Sequence, residues 1–573
     1  MAWMHYYEFV KPNGHFDTEI GEWVWDGATR AVRLKNALEA LNDRYHQVNT
    51  WQYVIDDDGD TLDIYYHEFD LDKYLDDVRR SKTDTSITSK DFEPSGNMYR
   101  IRYATMHYPG YWYFGYYFRP LWMDRNTTHY TADFALTSQV SKSNQLKLGG
   151  FVRKHFLDLT DVQFVNENPY SDAYEKEPIV AAAYVQDKVE YEEMTVNAGL
   201  RLDYFDPMSK FFVDYENLDE GTEDVQPKVN ISPRFGISYA VAEKAIMYAS
   251  YGHFYQPIDL GDLYQNLEAD ITSGLPLIGN PNLPPQSEIM YETGFRYALT
   301  PDLAFEVTAY YKDIRTLLSS DQVNTIWQRA IASYTIFKLE DFAVVRGIDL
   351  VLQKRAFEFL SGSLAYSYLD AKGTGSFGDE FYRRYLNRDV DVPNREYPLE
   401  FDVRHTVKAD LNFYCPRGFG PSVFNFKPLS DLNTAMQFTF ASGAPYTPTD
   451  PKGNPLEVGS KRMPSSHWID AKVDKRFSIS ELGISVFMEI TNLFGTKNVF
   501  DIWSRTGKPD DDGERPKWDP VAYGALDGSY EDRGYSSARE WYEDHLLKWK
   551  LWCSDPTNYS EPRKIRFGVA AVF

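Results

Sequence analysis

Cysteine is nearly absent from this chain. Of 573 residues, only Cys415 and Cys553 carry a thiol, which excludes a disulfide framework. The eleven histidines show no His-x-x-His or Cys/His spacing, so no metal site is expected. Long apolar runs are missing too. The most obvious, Ile179–Val185, falls far below the ~18 residues of a spanning helix. No nucleophile elbow, phosphate loop or dinucleotide fingerprint occurs, so nothing points to an enzyme or a cofactor. Basic residues are in deficit, 60 against 85 acidic, for a formal net charge of −25. That argues against nucleic acid as a partner, because phosphates need Lys and Arg. The opening MAWMHYYEFV has no basic segment followed by an apolar core, and so does not read as a secretory signal.

What is abundant is aromatic surface. The chain has 43 Tyr and 36 Phe, and aromatics make up 16% of it, yet its mean hydropathy is −0.50. Strands with one wet and one greasy face combine these two properties. From about Thr128 onward one unit recurs: two alternating strands, a short turn, then a longer polar loop. Phe134, Leu136, Ser138 and Val140 alternate up to a turn at Ser141–Asn144, and Leu146 and Leu148 resume the pattern. Similar turns fall at Glu190–Glu193, Val241–Lys244, Thr300–Asp302, Arg355–Ala356, Cys415–Gly420 and Ser478–Leu482. Seven hairpins and a terminal strand, KIRFGVAAVF, give fifteen strands or more of about nine to thirteen residues. That length suits a tilted crossing of a bilayer, and strands of a soluble sandwich are shorter. The expected fold is all-β: a transmembrane antiparallel up-and-down β-barrel with one short-turn rim and one long-loop rim.

Pro257–Ser287, Lys372–Pro398 and Gly495–Pro562 are the longest loops. Within the last, Ser537–Leu551 has the pattern of a short amphipathic helix. Residues 1–127 read as earlier barrel strands and loops, incomplete, with a loop helix at 29–46. Residues 128–573 read as the C-terminal part of the barrel.

A dozen segments carry a resemblance, among them AAYVQDKVEY, VNAGLRLDYFDP, ISPRFGISY, GNPNLPPQSEIMYETG, FDVRHTV, FASGAPYTPTD, VFMEITNLF and RFGVAAVF. In this order the chain resembles the C-terminal barrel of TonB-dependent outer-membrane receptors, especially the Oar-like group, over roughly Tyr130–Phe573. The resemblance implies a 22-stranded barrel in the Gram-negative outer membrane, in contact with its lipid and lipopolysaccharide. It also implies a plug domain, which engages the TonB complex, and a solute ligand such as a siderophore, cobalamin, glycan or peptide. No plug is visible in this sequence, so the chain is expected to be a receptor barrel without it. Phe573, with Phe567 on the same strand face, matches the family's address for the barrel-assembly machinery.

Several clusters invite a site. Tyr108–Met123 holds nine aromatics in sixteen residues. It is read as an interfacial girdle or as a stacking platform in which Tyr111, Trp112 and Tyr113 meet a ligand. His253, Tyr255 and Glu288 are further ligand-contact candidates. Asp187, Arg201, Asp203, Asp470, Asp474 and Glu489 are expected to line a wet lumen. Ile484, Val486, Met488 and Ile490 are expected to face lipid, with Ser485, Phe487, Glu489 and Thr491 facing in. Asp402 and Arg404 are expected to pair, with His405 pointing away. The acidic runs Asp56–Asp60 and Asp510–Glu514 lack calcium-loop spacing and read as solvated surface. A passive porin or protein-export pore, and a surface-binding or adhesion barrel, are the alternative functions.

Overall fold

The computed structural model describes residues 121–572 apart from short gaps at 166–167, 268–276, 328–329, 358, 386–392, 394, 425–426, 480–481, 527 and 532. It also describes strands at His15–Asp17, Glu22–Val24, His46–Ile55 and Thr61–Phe69, and residues 76 and 80. The expected helix at 29–46, the aromatic stretch with Tyr111, Trp112 and Tyr113, the run Asp56–Asp60 and the terminal Phe573 lie outside the described residues.

Fifteen long strands follow one another along the chain. They are β1 (Leu121–Gln139), β2 (Asn144–Val165), β3 (Ile179–Tyr191), β4 (Met194–Asp206) and β5 (Lys228–Ala242). β6 (Ala245–Gln256), β7 (Gln286–Thr300), β8 (Leu303–Trp327), β9 (Ala330–Phe357) and β10 (Leu360–Gly373) come next. β11 (His405–Cys415), β12 (Leu432–Ala441), β13 (Ser466–Ile479), β14 (Leu482–Thr491) and β15 (Lys564–Val572) complete the series. Each pairs antiparallel with its successor. The sheet is a barrel whose strand order sets β15 beside β1. Both are exposed on both faces: all of Met123–Gln139, and Lys564–Ala571 apart from Gly568.

Six of the seven hairpins turn at or within a few residues of the expected positions, because polar turn formers interrupt the alternation there. At the first, Ser141 Oγ accepts from the Asn144 amide at 3.0 Å; at the second, Glu192 takes a positive φ of 47°. Two expectations need correction. The link after Cys415 is a loop from 416 to 431, stabilised by Lys427 Nζ donating to Gly418 O at 2.7 Å. Strands β1 and β2, at 19 and 22 residues, exceed the expected nine to thirteen, and β8 and β9, at 25 and 28, are about twice that. β8 and β9 run on past register shifts between Ile314 and Ser319 and project beyond the rim.

Among the described residues no helix is long and apolar enough to cross a membrane. Three helices lie in the long loops: α1 (Leu260–Tyr264), α2 (Glu380–Arg384) and α3 (Ala538–Cys553). α3 is the amphipathic helix expected in the last loop. Ser537 caps it by accepting from the Glu540 amide at 3.1 Å, and Glu540 accepts in turn from the Ser536 amide at 2.8 Å. Ser537→Ala is expected to cost about 1 kcal/mol. Faster hydrogen exchange confined to the first turn of α3 would show it, and unchanged exchange there would count against the cap.

Candidate functional site

Register alone sorts the side chains into two faces, because partners across a ladder point the same way. Starting from Arg201, one face carries Tyr184 on β3, Asp203 on β4, Arg234 and Ser238 on β5, and Tyr248 and Ser250 on β6. It continues through Glu288, Glu292 and Arg296 on β7 to Glu306, Tyr310 and Lys312 on β8. It ends with Lys408 and Asp410 on β11, Asp470, Lys472 and Asp474 on β13, Glu489 on β14 and Arg566 on β15. The opposite face carries Leu200, Leu202, Phe235, Ile237, Met247, Phe295, Val307, Leu411, Phe438, Ile469, Val486, Met488, Phe567 and Val569. Ile484, Val486, Met488 and Ile490 thus share the apolar face, while Ser485, Phe487, Glu489 and Thr491 share the polar one.

The polar face balances its charges locally. Arg201 Nε donates to Asp203 Oδ1 at 2.8 Å, and Arg296 Nη2 meets Glu306 Oε2 at 2.7 Å. Lys312 Nζ lies 3.4 Å from Glu288 Oε1, and Arg476 Nε 3.2 Å from Asp474 Oδ1. Asp470 Oδ1 accepts from the Asn492 amide at 2.8 Å. Glu489 stands between Lys472 and Arg566. A wall of paired, partly hydrated charges of both signs suits an aqueous lumen.

Register also separates residues that the sequence put forward together. Asp187 does not share a face with Arg201 and Asp203. It lies opposite Ala198, on the side of Val185 and Leu200. It stands four residues before the end of β3, where Asn144 Nδ2 donates to its Oδ2 at 3.2 Å, so this carboxylate belongs to the short-turn rim. His253 and Tyr255 are set opposite Ile289 and Ser287, away from Glu288, and the three cannot meet one ligand on one face. Instead Tyr251 Oη lies 2.6 Å from His253 Nε2, and the Tyr251, Tyr291 and Tyr311 rings follow one another at 5.1 and 6.2 Å. This aromatic band crosses three strands on the apolar face, where a membrane interface favours it. The alternation around each tyrosine was legible in sequence; their alignment required the register.

The long loops pack into ordered layers over the rim. Leu263, Tyr264, Leu277, Leu283 and Phe337 are buried together with Leu157, Phe205 and Ile258. Beside them, Leu218, Ile278, Tyr334 and Ile336 form a second core on the projecting β8–β9 hairpin. Polar ties hold the layers: Tyr264 Oη donates to Pro207 O at 2.7 Å, Tyr334 Oη to Tyr215 O at 2.8 Å, and Tyr215 Oη to Asn280 Oδ1 at 2.8 Å. Gly279–Pro285 is therefore a rim strut, with Leu277–Ile278 paired to Thr335–Ile336.

Asp402 is fully buried at the foot of the next loop. Arg404 Nη2 and Arg462 Nη2 each approach its Oδ2 at 2.7 Å, and Arg404 Nη2 also meets Asp370 Oδ1 at 2.9 Å. The Asp402–Arg404 pair was expected; Arg462, sixty residues away, left no local signal.

In the last loop Asp511 and Asp512 organise backbone and helix. Asp511 accepts from the Gly513 amide at 3.0 Å, and Trp549 Nε1 donates to Asp512 Oδ1 at 2.7 Å. Among the described residues no group of three or more His, Cys, Asp or Glu side chains is placed to hold a metal ion. Both cysteines are free. Burial, then its neighbour Asp512, shapes the Cys553 thiol, which is pushed up to about 11.

Among the described loop carboxyls, Asp262 of α1 is pushed up to about 6, first by burial and then by Asp259 and Asp379. A raised native value means that the folded loops take up a proton more readily than the unfolded chain. Stability of this loop layer should therefore rise as pH falls from above 7 through 6 toward 4, and return to its lower value above 7. Slower proteolysis of the 257–285 loop at pH 5 than at pH 7.5, abolished in Asp262→Asn, is the expected result.

A family model described as TonB dependent receptor-like, beta-barrel matches residues 6–493. No curated protein matches the chain. Among solved structures, the outer membrane transporter YddB from Escherichia coli aligns with TM-score 0.49 and 12% identity over 66% of this chain and 52% of its own. The siderophore receptor PiuA from Acinetobacter baumannii aligns with TM-score 0.45 and 14% identity over 66% and 53%. The ferric yersiniabactin uptake receptor FyuA from Yersinia pestis aligns with TM-score 0.43 and 12% identity over 66% and 51%. The chain spans about half the length of these solved relatives.

Proposed function

The chain belongs to the TonB-dependent receptor-like β-barrel family, and on that premise we propose that it serves as the barrel of an uptake receptor for a large or scarce solute. Proteins of this family reside in the Gram-negative outer membrane. The observation that carries the reading is the family match over most of the chain, joined to a continuous charged face on one side of the sheet and an apolar face on the other. Residues 128–573 supply the pore wall and the selecting loops, and the family match that starts at residue 6 extends over the N-terminal segment as well. Gating through a plug and the TonB complex is what the family adds. The barrel-assembly machinery would read the last strand, where Phe567 is 76% exposed on the apolar face.

The solute class is one of siderophore, cobalamin, glycan or peptide. Its contacts are expected on the packed loops, at Tyr111, Trp112 and Tyr113, and at Glu288 on the polar face. The test is titration of the purified protein, in bilayers with lipopolysaccharide, with a ferric siderophore, cobalamin, an oligosaccharide and a peptide. One class should bind saturably, and at least tenfold more weakly when Tyr111, Trp112 and Tyr113 are replaced together by Ala. Steady open conductance with no binding would replace this reading with a passive pore. Binding to cell surfaces through the loops, with no solute bound, would replace it with adhesion.

A further inference from the structure

Two histidines that sequence spacing keeps far apart stand directly opposite each other on neighbouring strands. His129 on β1 is the register partner of His155 on β2. Their rings project from the same face, with centroids 5.6 Å apart and planes tilted by 42°. The face is the polar one, because the same register aligns Thr131 with Arg153 and Asp133 with Phe151, and Phe151 with Ala182. His155 lies eleven residues above the hairpin turn. At about 3.3 Å per residue and a tilt near 40°, it sits roughly 28 Å above that rim, at the loop-side margin of the hydrocarbon. Two residues further on, Leu157 already belongs to the buried loop core.

The spacing is that of a chelate. A metal–nitrogen bond of about 2.0–2.1 Å sets each imidazole centre about 3.2 Å from the ion, so two rings sharing one ion stand about 5–6 Å apart. A second observation points the same way. His155 Nδ1 is buried and has no hydrogen-bond partner, although buried ring nitrogens are normally satisfied. The nearest cation on this face, Arg153, is turned aside: its Nε donates to Thr131 Oγ1 at 2.9 Å and its guanidinium lies over Phe151.

We propose that His129 and His155 form a two-histidine site for a borderline divalent transition metal ion on the polar face of the barrel, near the loop-side rim. Two imidazoles without thiolate favour copper(II) over nickel(II) and zinc(II), and water completes the coordination shell. The site does not depend on the transport reading, since it needs only the β1–β2 hairpin.

The test is titration of the detergent-solubilised full chain with copper(II), and separately with zinc(II), beside His129→Gln, His155→Gln and the double variant. Wild type is expected to bind one copper(II) at least tenfold more tightly than either single variant, with the double variant at least as weak as the singles. Electron paramagnetic resonance of the copper(II)-loaded wild type should show hyperfine coupling to two imidazole nitrogens, a readout that needs no variant to fold. Equal affinity in wild type and double variant, or coupling to fewer than two nitrogens, would overturn the proposal.

Discussion

Asp402→Ala is expected to cost about 3–5 kcal/mol of stability and to loosen two outer loops together. The carboxylate is fully buried and receives Arg404 and Arg462 at 2.7 Å each. Arg462 also donates through Nη1 to Asp402 O at 2.7 Å and to Gly443 O at 3.1 Å. One residue thus ties the foot of the 374–404 loop to the 442–465 segment. Removing it leaves two guanidinium groups, each only about a third exposed or less, without their common partner. Breaking a buried pair costs far more than its net worth when intact, because the surviving charge keeps its desolvation penalty. The lower end of the range applies, since both arginines can reach some water. Arg462→Gln should cost less, because Asp402 keeps Arg404. Thermal unfolding in detergent gives the order, and limited proteolysis should cut both loops faster in Asp402→Ala. A change within about 0.5 kcal/mol of wild type, the range of an ordinary surface substitution, would show that the cluster is not the clasp.

Gly347→Val is expected to be the second most damaging single change, at about 1–3 kcal/mol for overpacking. Gly347 on β9 is the register partner of Tyr310 on β8. The phenol end of Tyr310 lies over it, so that any Cβ would overlap its ring and hydroxyl. Tyr248 on β6 covers Gly294 on β7 in the same way, with its hydroxyl 2.6 Å from Thr308 Oγ1. Both tyrosines are on the polar face, and each locks the register of the pair it bridges. Because the clash is steric and local, Tyr310→Ala should rescue Gly347→Val to within about 1 kcal/mol of Tyr310→Ala alone. Urea unfolding of the four proteins in detergent supplies the cycle. Additive losses would mean that ring and glycine do not interact.

How much of this was legible beforehand depends on how far apart the cooperating residues lie. Turns such as Glu190–Glu193 and Val241–Lys244 could be located because polar residues break a period-2 pattern locally. α3 could be located because Ser537–Leu551 carries an amphipathic helical pattern within one continuous stretch. The alternation within β14 likewise placed Glu489 opposite in facing to Met488. What could not be read was pairing between strands. The Asp402–Arg462 contact, the Tyr310–Gly347 lock and the Tyr251–Tyr291–Tyr311 band all follow from register, which no single strand encodes. Charge alone points Asp187 to a wet face, whereas parity with Val185 puts it on the other face at the rim. The reach of β8 and β9 exceeds the expected length because the polar stretch Ser319–Asp321, which reads as a loop after Ile314, instead pairs on beyond a bulge as a projecting hairpin.

The measurement that bears most directly on the account is a nitroxide scan of β14 from Gly483 to Thr491, in a Cys415→Ser, Cys553→Ala background reconstituted in bilayers. Oxygen and a water-soluble nickel chelate report lipid and water respectively. Ile484, Val486, Met488 and Ile490 should favour oxygen, and Ser485, Phe487 and Glu489 should favour the chelate, alternating at every residue. Equal chelate access along the whole strand, or protection from both reagents at all positions, would contradict a wall between hydrocarbon and water.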